Sequence, residues 1–227
     1  MTRILAIGAH PDDVEIGMGG TIASLKSAGY EVYLLDLTDG EPTPFGTREM
    51  RLRESQEAAE ILGVDRRITL DLPNRYLMDS VENRIKVAEE IRKLIPDAIF
   101  LHYWVDAHPD HRAASLISEA ARFYAKLTKT EMQGEPVYPR RLFYFFSNHF
   151  RLQVKPSFIF DISAFLELKI KAVAAYKSQF NETRGNLRIL EDLKVQARWW
   201  GSRAHLEYGE PFVCRESIPL KDLTAII

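Results

Sequence analysis

Short apolar runs, each followed by a stretch of helical period, restrict this chain more than any other feature. Ile4–Gly8 (Ile-Leu-Ala-Ile-Gly), Glu31–Leu37, Arg67–Leu72 and Ala98–His102 read as strands. The most apolar of them have no solvent face, so they need cover on both sides. Between them come helices predicted at Thr21–Ala28 closed by Gly29, Arg48–Leu62 closed by Gly63, Ser80–Leu94 before Pro96, and Arg112–Leu127. Leu142–Phe146 and Phe158–Ile162 read as further strands, Ser163 as the cap of a helix running to Gln179, residues 181–186 as a polar break, and Leu187–Ser202 as a last helix. The alternation predicts an α/β fold: one Rossmann-like domain over residues 1–227, its sheet mostly parallel, with helices on both faces.

That topology assigns a place to two similar stretches. His10-Pro11-Asp12-Asp13 follows the first strand and His108-Pro109-Asp110-His111 follows the fourth. In the commonest doubly wound order these strands are neighbours, and ligands bind outside their carboxyl ends. Each stretch pairs two metal-binding side chains three residues apart, His10 with Asp13 and His108 with His111, a spacing that shares one side of a turn entering a helix. Imidazole nitrogen and carboxylate oxygen suit zinc, and a catalytic zinc keeps three protein ligands and one open position. Adjacent Asp12 and Asp13 cannot easily point the same way, and the spacing favours Asp13 as the ligand. Asp12 is then placed to take a proton from a metal-bound water. Of His108 and His111, one ligates and the other, protonated, donates to an oxyanion, with Asp110 or Asp106 orienting and charging it from behind.

Composition narrows the class. Thirty basic and thirty-two acidic residues give a net charge of −2, so no electrostatic capture of nucleic acid is expected. No apolar run approaches the ~20 residues that cross a bilayer. The N-terminus has no signal-peptide pattern and the single cysteine, Cys214, allows no internal disulfide, so a cytoplasmic setting is expected.

Several features have plainer readings. Gly17, Gly19 and Gly20 do not fit G-x-G-x-x-G and read as close helix–strand packing. Arg51 and Glu54 have the spacing of an exposed ion pair on a helix. The aromatic run Phe143–Phe146 reads as strand core. Trp199 and Trp200 stand side by side on the last helix and so face different ways; one exposed tryptophan would serve a homo-oligomer.

At Ala-His-Pro-Asp-Asp-Val-Glu (9–15), Gly-Met-Gly-Gly-Thr (17–21) and His-Pro-Asp-His (108–111), the sequence resembles the LmbE/PIG-L family of metal-dependent N-acetylglucosamine deacetylases. The likeness extends through Leu-Thr-Asp-Gly-Glu (37–41), Arg51-x-x-Glu54, Tyr-Lys-Ser-Gln-Phe (176–180) and Glu-Tyr-Gly-Glu-Pro-Phe (207–212), which look most like the branch that deacetylates N-acetylglucosaminyl-malate in bacillithiol synthesis. The resemblance implies His10, Asp13 and His111 on zinc, Asp12 as base and His108 as its electrostatic partner. It also implies Arg51 and position 74 as contacts to an amino-sugar substrate; Asn74 stands where that branch usually has an acid. Two imidazoles and a carboxylate also suit ferrous iron. Cleavage of another N-acyl or thiol-conjugate amide, or a sugar- or nucleotide-binding module with a structural metal, are the alternatives. For the malate, Arg75, Arg112, Arg151, Lys177 and Gln179 are the available donors.

Overall fold

In the computed structural model, which describes residues 1–147, 154–180 and 186–219, the first apolar run is strand β1 (Arg3–Gly8). Helix α1 (Asp13–Ser27), β2 (Glu31–Asp36), α2 (Arg48–Leu62), β3 (Arg66–Thr69), α3 (Val81–Leu94), β4 (Ala98–His102), α4 (Pro109–Ala125) and β5 (Arg141–Phe145) follow in strict alternation. The chain continues through β6 (Phe158–Asp161), α5 (Leu166–Ala174), α6 (Arg188–Ser202) and β7 (Gly209–Val213). The seven strands of the described residues form one sheet in the order β3-β2-β1-β4-β5-β7-β6. The pairs from β3 to β5 are parallel, and β7 is antiparallel to both β5 and β6.

Both faces are covered, as the apolar runs demand. Leu5 and Ile7 of β1 pack with Val87, Ile91, Ile117 and Ala121 of α3 and α4. Ile4 and Ala6 point the other way, into a cluster with Val14, Ile22, Phe100 and Ala172. β1 and β4 lie side by side at the centre, so the loops leaving their carboxyl ends are neighbours. Among the described residues no helix is long and apolar enough to cross a membrane.

The prediction for α2 holds to the residue, with Thr47 as N-cap and Gly63 closing it in the left-handed region. Ser80 caps α3, its hydroxyl accepting the Asn83 N–H. Other boundaries moved. α1 begins at Asp13, not Thr21, and Gly17, Gly19 and Gly20 lie inside it, with Met18 breaking the helical path (φ −151°). The packing reading of these glycines stands: a Cβ on Gly17 would lie 2.4 Å from the Phe145 ring, and one on Gly20 2.7 Å from Ile162. α4 begins three residues earlier than its periodicity implied, because Pro109 occupies the first turn, where its missing N–H costs nothing.

Ser163 does not cap α5: Phe165 holds that position without a side-chain bond, and the Ser163 hydroxyl donates to Asp161. α5 also stops at Ala174 rather than Gln179, and residues 175–180 turn toward the sheet's carboxyl edge. Strand β7 was not anticipated, since Pro211 argues against a ladder. It is tolerated because the β5 pairing uses only Phe212 and Val213, beyond the proline. The predicted break at 181–186 lies, except for Asn186, outside the described residues, as does Arg151.

Candidate active site

The two His-Pro-Asp-X loops run straight into helices, and this brings their side chains together. Asp13 is the first residue of α1, and its carboxylate accepts the His10 N–H at 2.8 Å, closing the turn on itself. His108 is the N-cap of α4, its Nδ1 accepting the Asp110 N–H at 3.2 Å. Ligand atoms of His10, Asp13 and His111 all lie within 4.8 Å of one another. His111 Nε2 is 3.1 Å from Asp13 Oδ1, and His10 Nδ1 is 3.3 Å from Asp13 Oδ2.

Each histidine turns its other nitrogen to a second carboxylate. His10 Nε2 meets Asp110 Oδ2 at 3.1 Å, and His111 Nδ1 meets Asp106 Oδ2 at 3.2 Å. Such outer carboxylates fix ring orientation and make the facing nitrogen a better ligand. Asp110 is itself held by the N–H groups of Arg75 (2.6 Å) and Leu77 (3.3 Å), and Asp106 by that of His108 (2.8 Å). Two imidazoles and one carboxylate, buried and backed in this way, fit a divalent metal with an open position.

The acids therefore support the ligands. Their carboxylates face His10 and His111, while Asp106 also accepts the His108 N–H and the Asp110 N–H donates to His108 Nδ1. His108 has the backbone N–H on Nδ1, which puts its ring proton on Nε2. Burial, with His10 and His111 nearby, lowers its pKa to about 4, so it is a neutral donor and not the protonated one expected.

Asp12 sits beside this cluster with φ 109°, a conformation non-glycine residues rarely adopt and one that gathers at functional sites. Burial pushes its carboxyl up to about 6 against the pull of Arg51. For His10 burial works downward, yet Asp110 and Asp13 outweigh it and raise the ring to about 9; for His111, Asp13 and Asp106 do the same, to about 10. Asp13 is held well below the usual carboxylate range, because His111, His102 and His10 outweigh the effect of burial. His10, Asp12, Asp13, His108 and His111 line one cavity of about 250 Å³, walled also by Gly40, Pro42, Thr43, Arg51, Asn74, Arg75 and Gln179.

Residues 5–122 match the model of the PIG-L family, described as GlcNAc-PI de-N-acetylase. The chain is 34% identical over 225 residues to the diacetylchitobiose deacetylase of Thermococcus kodakarensis, covering 92% of this chain and 81% of that protein. It shares 41% identity and a TM-score of 0.89 with the conserved protein TT1542 from Thermus thermophilus, over 97% of each chain. The N,N'-diacetylchitobiose deacetylase from Pyrococcus horikoshii superposes with a TM-score of 0.83 at 28% identity, over 98% of this chain and 88% of that one. The chain belongs to the PIG-L family. It is an enzyme of this deacetylase family.

In this PIG-L chain Arg51 is not the exposed ion-pair partner of Glu54. It is 2% exposed, its Nη2 donates to Pro11 O at 2.5 Å, and both terminal nitrogens lie 3.4 Å from Asp12 Oδ2. Glu54 accepts instead from the N–H and hydroxyl of Ser178, each at 2.6 Å. Asn74 lines the cavity.

Sequence reasoning missed two groups. His102, the polar last residue of β4, stacks on His111 (4.3 Å between centroids) and accepts the Ala9 N–H at 3.0 Å. Burial, then His111, lowers it to about 4, so it is a neutral support under the site. A lone histidine ending an otherwise apolar strand was the available signal. The second group is a buried ionic base-plate: Arg67 bonds Glu15 (2.5 Å) and both oxygens of Asp36 (2.7 and 2.8 Å), while the Tyr176 hydroxyl donates to Glu15 at 2.8 Å. Glu15 is thereby engaged beneath the loop.

Proposed function

We propose that the chain is a metal-dependent de-N-acetylase of an N-acetylated amino-sugar conjugate. The observation that carries this is the convergence of His10, Asp13 and His111 within 4.8 Å, with Asp12 and His108 on the wall of the same cavity. Zinc, or ferrous iron on the same donors, would supply a Lewis acid and a water of lowered pKa when bound. Asp12 takes a proton from the attacking water as its oxygen adds to the acetyl carbon. The Nε2–H of His108 donates to the carbonyl oxygen as charge develops on it. The amide C–N bond then breaks, and the proton held by Asp12 passes to the departing amine, leaving acetate and a free amino sugar.

The cavity of about 250 Å³ lies below the ~300–1,000 Å³ of most small-molecule pockets. It takes one sugar ring and leaves the aglycone at its mouth. Asn74, Thr43 and Gln179 supply the amide and hydroxyl groups for sugar contacts. Of the donors considered for malate, Arg75 and Gln179 line this cavity, and Arg75 Nη2 already spans the mouth to Pro42 O at 2.6 Å. An anionic aglycone such as malate would meet Arg75 there.

The test is amine release from N-acetylglucosaminyl-malate, free N-acetylglucosamine and diacetylchitobiose by fully metallated protein. The acidic aglycone predicts at least a tenfold advantage in kcat/KM for the malate conjugate, about 1.4 kcal/mol. A preference for diacetylchitobiose would replace malate with a second sugar. No release from any of the three would leave a binding module with a structural metal.

A further inference from the structure

Ser147 lies just beyond the end of β5, half-buried. The ladder between β4 and β5 closes with His102 opposite Phe145, and the Tyr103 N–H still bonds Phe145 O at 2.8 Å. The end of β5 is thereby carried along the loop that leaves β4, behind the metal-binding side chains. There the Ser147 Oγ is 2.8 Å from His102 Nδ1, and the same hydroxyl is hydrogen-bonded to the Asp106 carboxylate. His102 and Asp106 are both buried.

The direction of each proton along this line follows from its far end. His102 Nε2 accepts the Ala9 N–H at 3.0 Å, so the proton of the neutral ring is on Nδ1 and goes to Ser147 Oγ. The hydroxyl's own proton then goes to Asp106, whose carboxylate can only accept. Asp106 Oδ1 also takes the His108 N–H at 2.8 Å, and Oδ2 stands 3.2 Å from His111 Nδ1. A proton kept on Nδ1 leaves His111 a lone pair at Nε2, which lies 3.1 Å from Asp13 Oδ1. Asp13 Oδ2 is in turn 3.3 Å from His102 Nε2. Asp13, His102, Ser147, Asp106 and His111 thus form a closed ring of contacts that contains two of the three candidate ligands. Ser147 enters it from a third strand, outside both His-Pro-Asp-X loops. Without its hydroxyl the buried Nδ1–H of His102 loses its acceptor and Asp106 loses a donor, so neither is held against the other.

We propose that Ser147 is a positioning residue of the metal site, its hydroxyl holding the Asp106 carboxylate on His111 so that His111 Nε2 stays turned toward Asp13. This rests on the metal-dependent reading above, and metal affinity tests the two separately. A residue that only stabilised the end of β5 would change unfolding without acting through Asp106.

The experiment measures Co2+ affinity by chelator competition on the full chain, as wild type, Ser147→Ala, Ser147→Thr, Asp106→Ala and the Ser147→Ala/Asp106→Ala double variant. Ser147→Ala is expected to bind Co2+ at least about tenfold more weakly, the lower end for the loss of a group behind a metal ligand. Ser147→Thr keeps the hydroxyl and is expected to stay within about threefold of wild type. In the Asp106→Ala background, Ser147→Ala is expected to cost less than about twofold, because the two groups act as one unit. The d–d absorption of bound Co2+ is expected to shift in Ser147→Ala and to return in Ser147→Thr. Wild-type affinity in Ser147→Ala overturns the proposal, and so does a loss as large without Asp106 as with it. Should Ser147→Ala not fold, Ser147→Val is set against Ser147→Thr, which has the same shape and the hydroxyl, under the same criteria. A wild type that binds no Co2+ overturns the metal reading and the proposal with it, whereas wild-type binding with an unaffected Ser147→Ala overturns the proposal alone.

Discussion

Replacing Arg67 by methionine tests what lies under the metal loop. The side chains of Arg67, Glu15 and Asp36 are 3%, 0% and 0% exposed. One guanidinium serves two carboxylates there, helped by the Tyr176 hydroxyl on Glu15 and that of Thr69 on Asp36 at 3.3 Å. Burial already raises the Asp36 carboxyl while Arg67 pulls it back. Methionine keeps the aliphatic stem and removes the charge, stranding two buried anions. Removing one partner of a buried ion pair costs ~3–5 kcal/mol, and at ~2–4 °C per kcal/mol for a chain of this size that lowers Tm by roughly 6–20 °C.

The loss should depend on pH with a definite sign. With Arg67 gone, burial alone acts on the Asp36 carboxyl, whose folded-state pKa then lies further above its unfolded one, so the folded state binds more protons. Stability then falls as pH rises from the ordinary carboxylate range through the raised value. Denaturant unfolding at fixed metal concentration, at pH 5 and pH 8, reads both quantities. Adding Asp36→Asn should return at least about 1 kcal/mol, as expected of directly coupled groups. A loss under about 1 kcal/mol at pH 8, or one equal at both pH values, would refute the reasoning.

Alanine at His10, Asp13 or His111 should remove stoichiometric metal and activity together, read by metal analysis and amine release; a triple variant still binding one equivalent sinks the assignment. Asp12→Asn should keep its metal and lose at least ~10²-fold in turnover, and His108→Ala about 10²–10³-fold; near-normal turnover in Asp12→Asn moves the base elsewhere. Because the metal binds only the folded site, adding it at a thousand times its Kd should stabilise the protein by ~4 kcal/mol; a Tm indifferent to chelator contradicts this. Trp199 is 51% exposed and packs against Trp200, and a homo-oligomer is expected; light scattering near the 26.1 kDa of one chain would exclude it.

What could be read from the sequence was what local pattern encodes. Arg48–Leu62 carries its own cap and its terminal glycine, and the Ile4–Gly8 run can only be a buried strand. The two loops declared themselves because their ligands are three residues apart and the strand order brings them together. Three things were hidden because apolar periodicity and local propensity do not encode them. The first turn of α1 is closed by the Asp13 carboxylate on His10, not by apolar periodicity. Strand β7 exists only as an insertion between β5 and β6, against the local signal of Pro211. Arg67 looks like an ordinary strand-edge cation, and its partners Glu15 and Asp36 come from two other elements.

The acids on either side of Asp13 are each held by an arginine from a different element, Asp12 by Arg51 of α2 and Glu15 by Arg67 of β3. Tyr176 stands between them, its ring facing Arg51 and its hydroxyl on Glu15. α5 ends early enough for that tyrosine to reach the loop. The two arginines should nonetheless fail differently. The partners of Arg67 are sealed from water, so their charges have no recourse once it is gone, and its loss registers in stability. Asp12 lines the cavity with 15% of its side chain exposed, so water can take over part of its solvation when Arg51 is removed. Arg51 itself lines the same cavity, so its loss is expected to register in activity before it registers in stability.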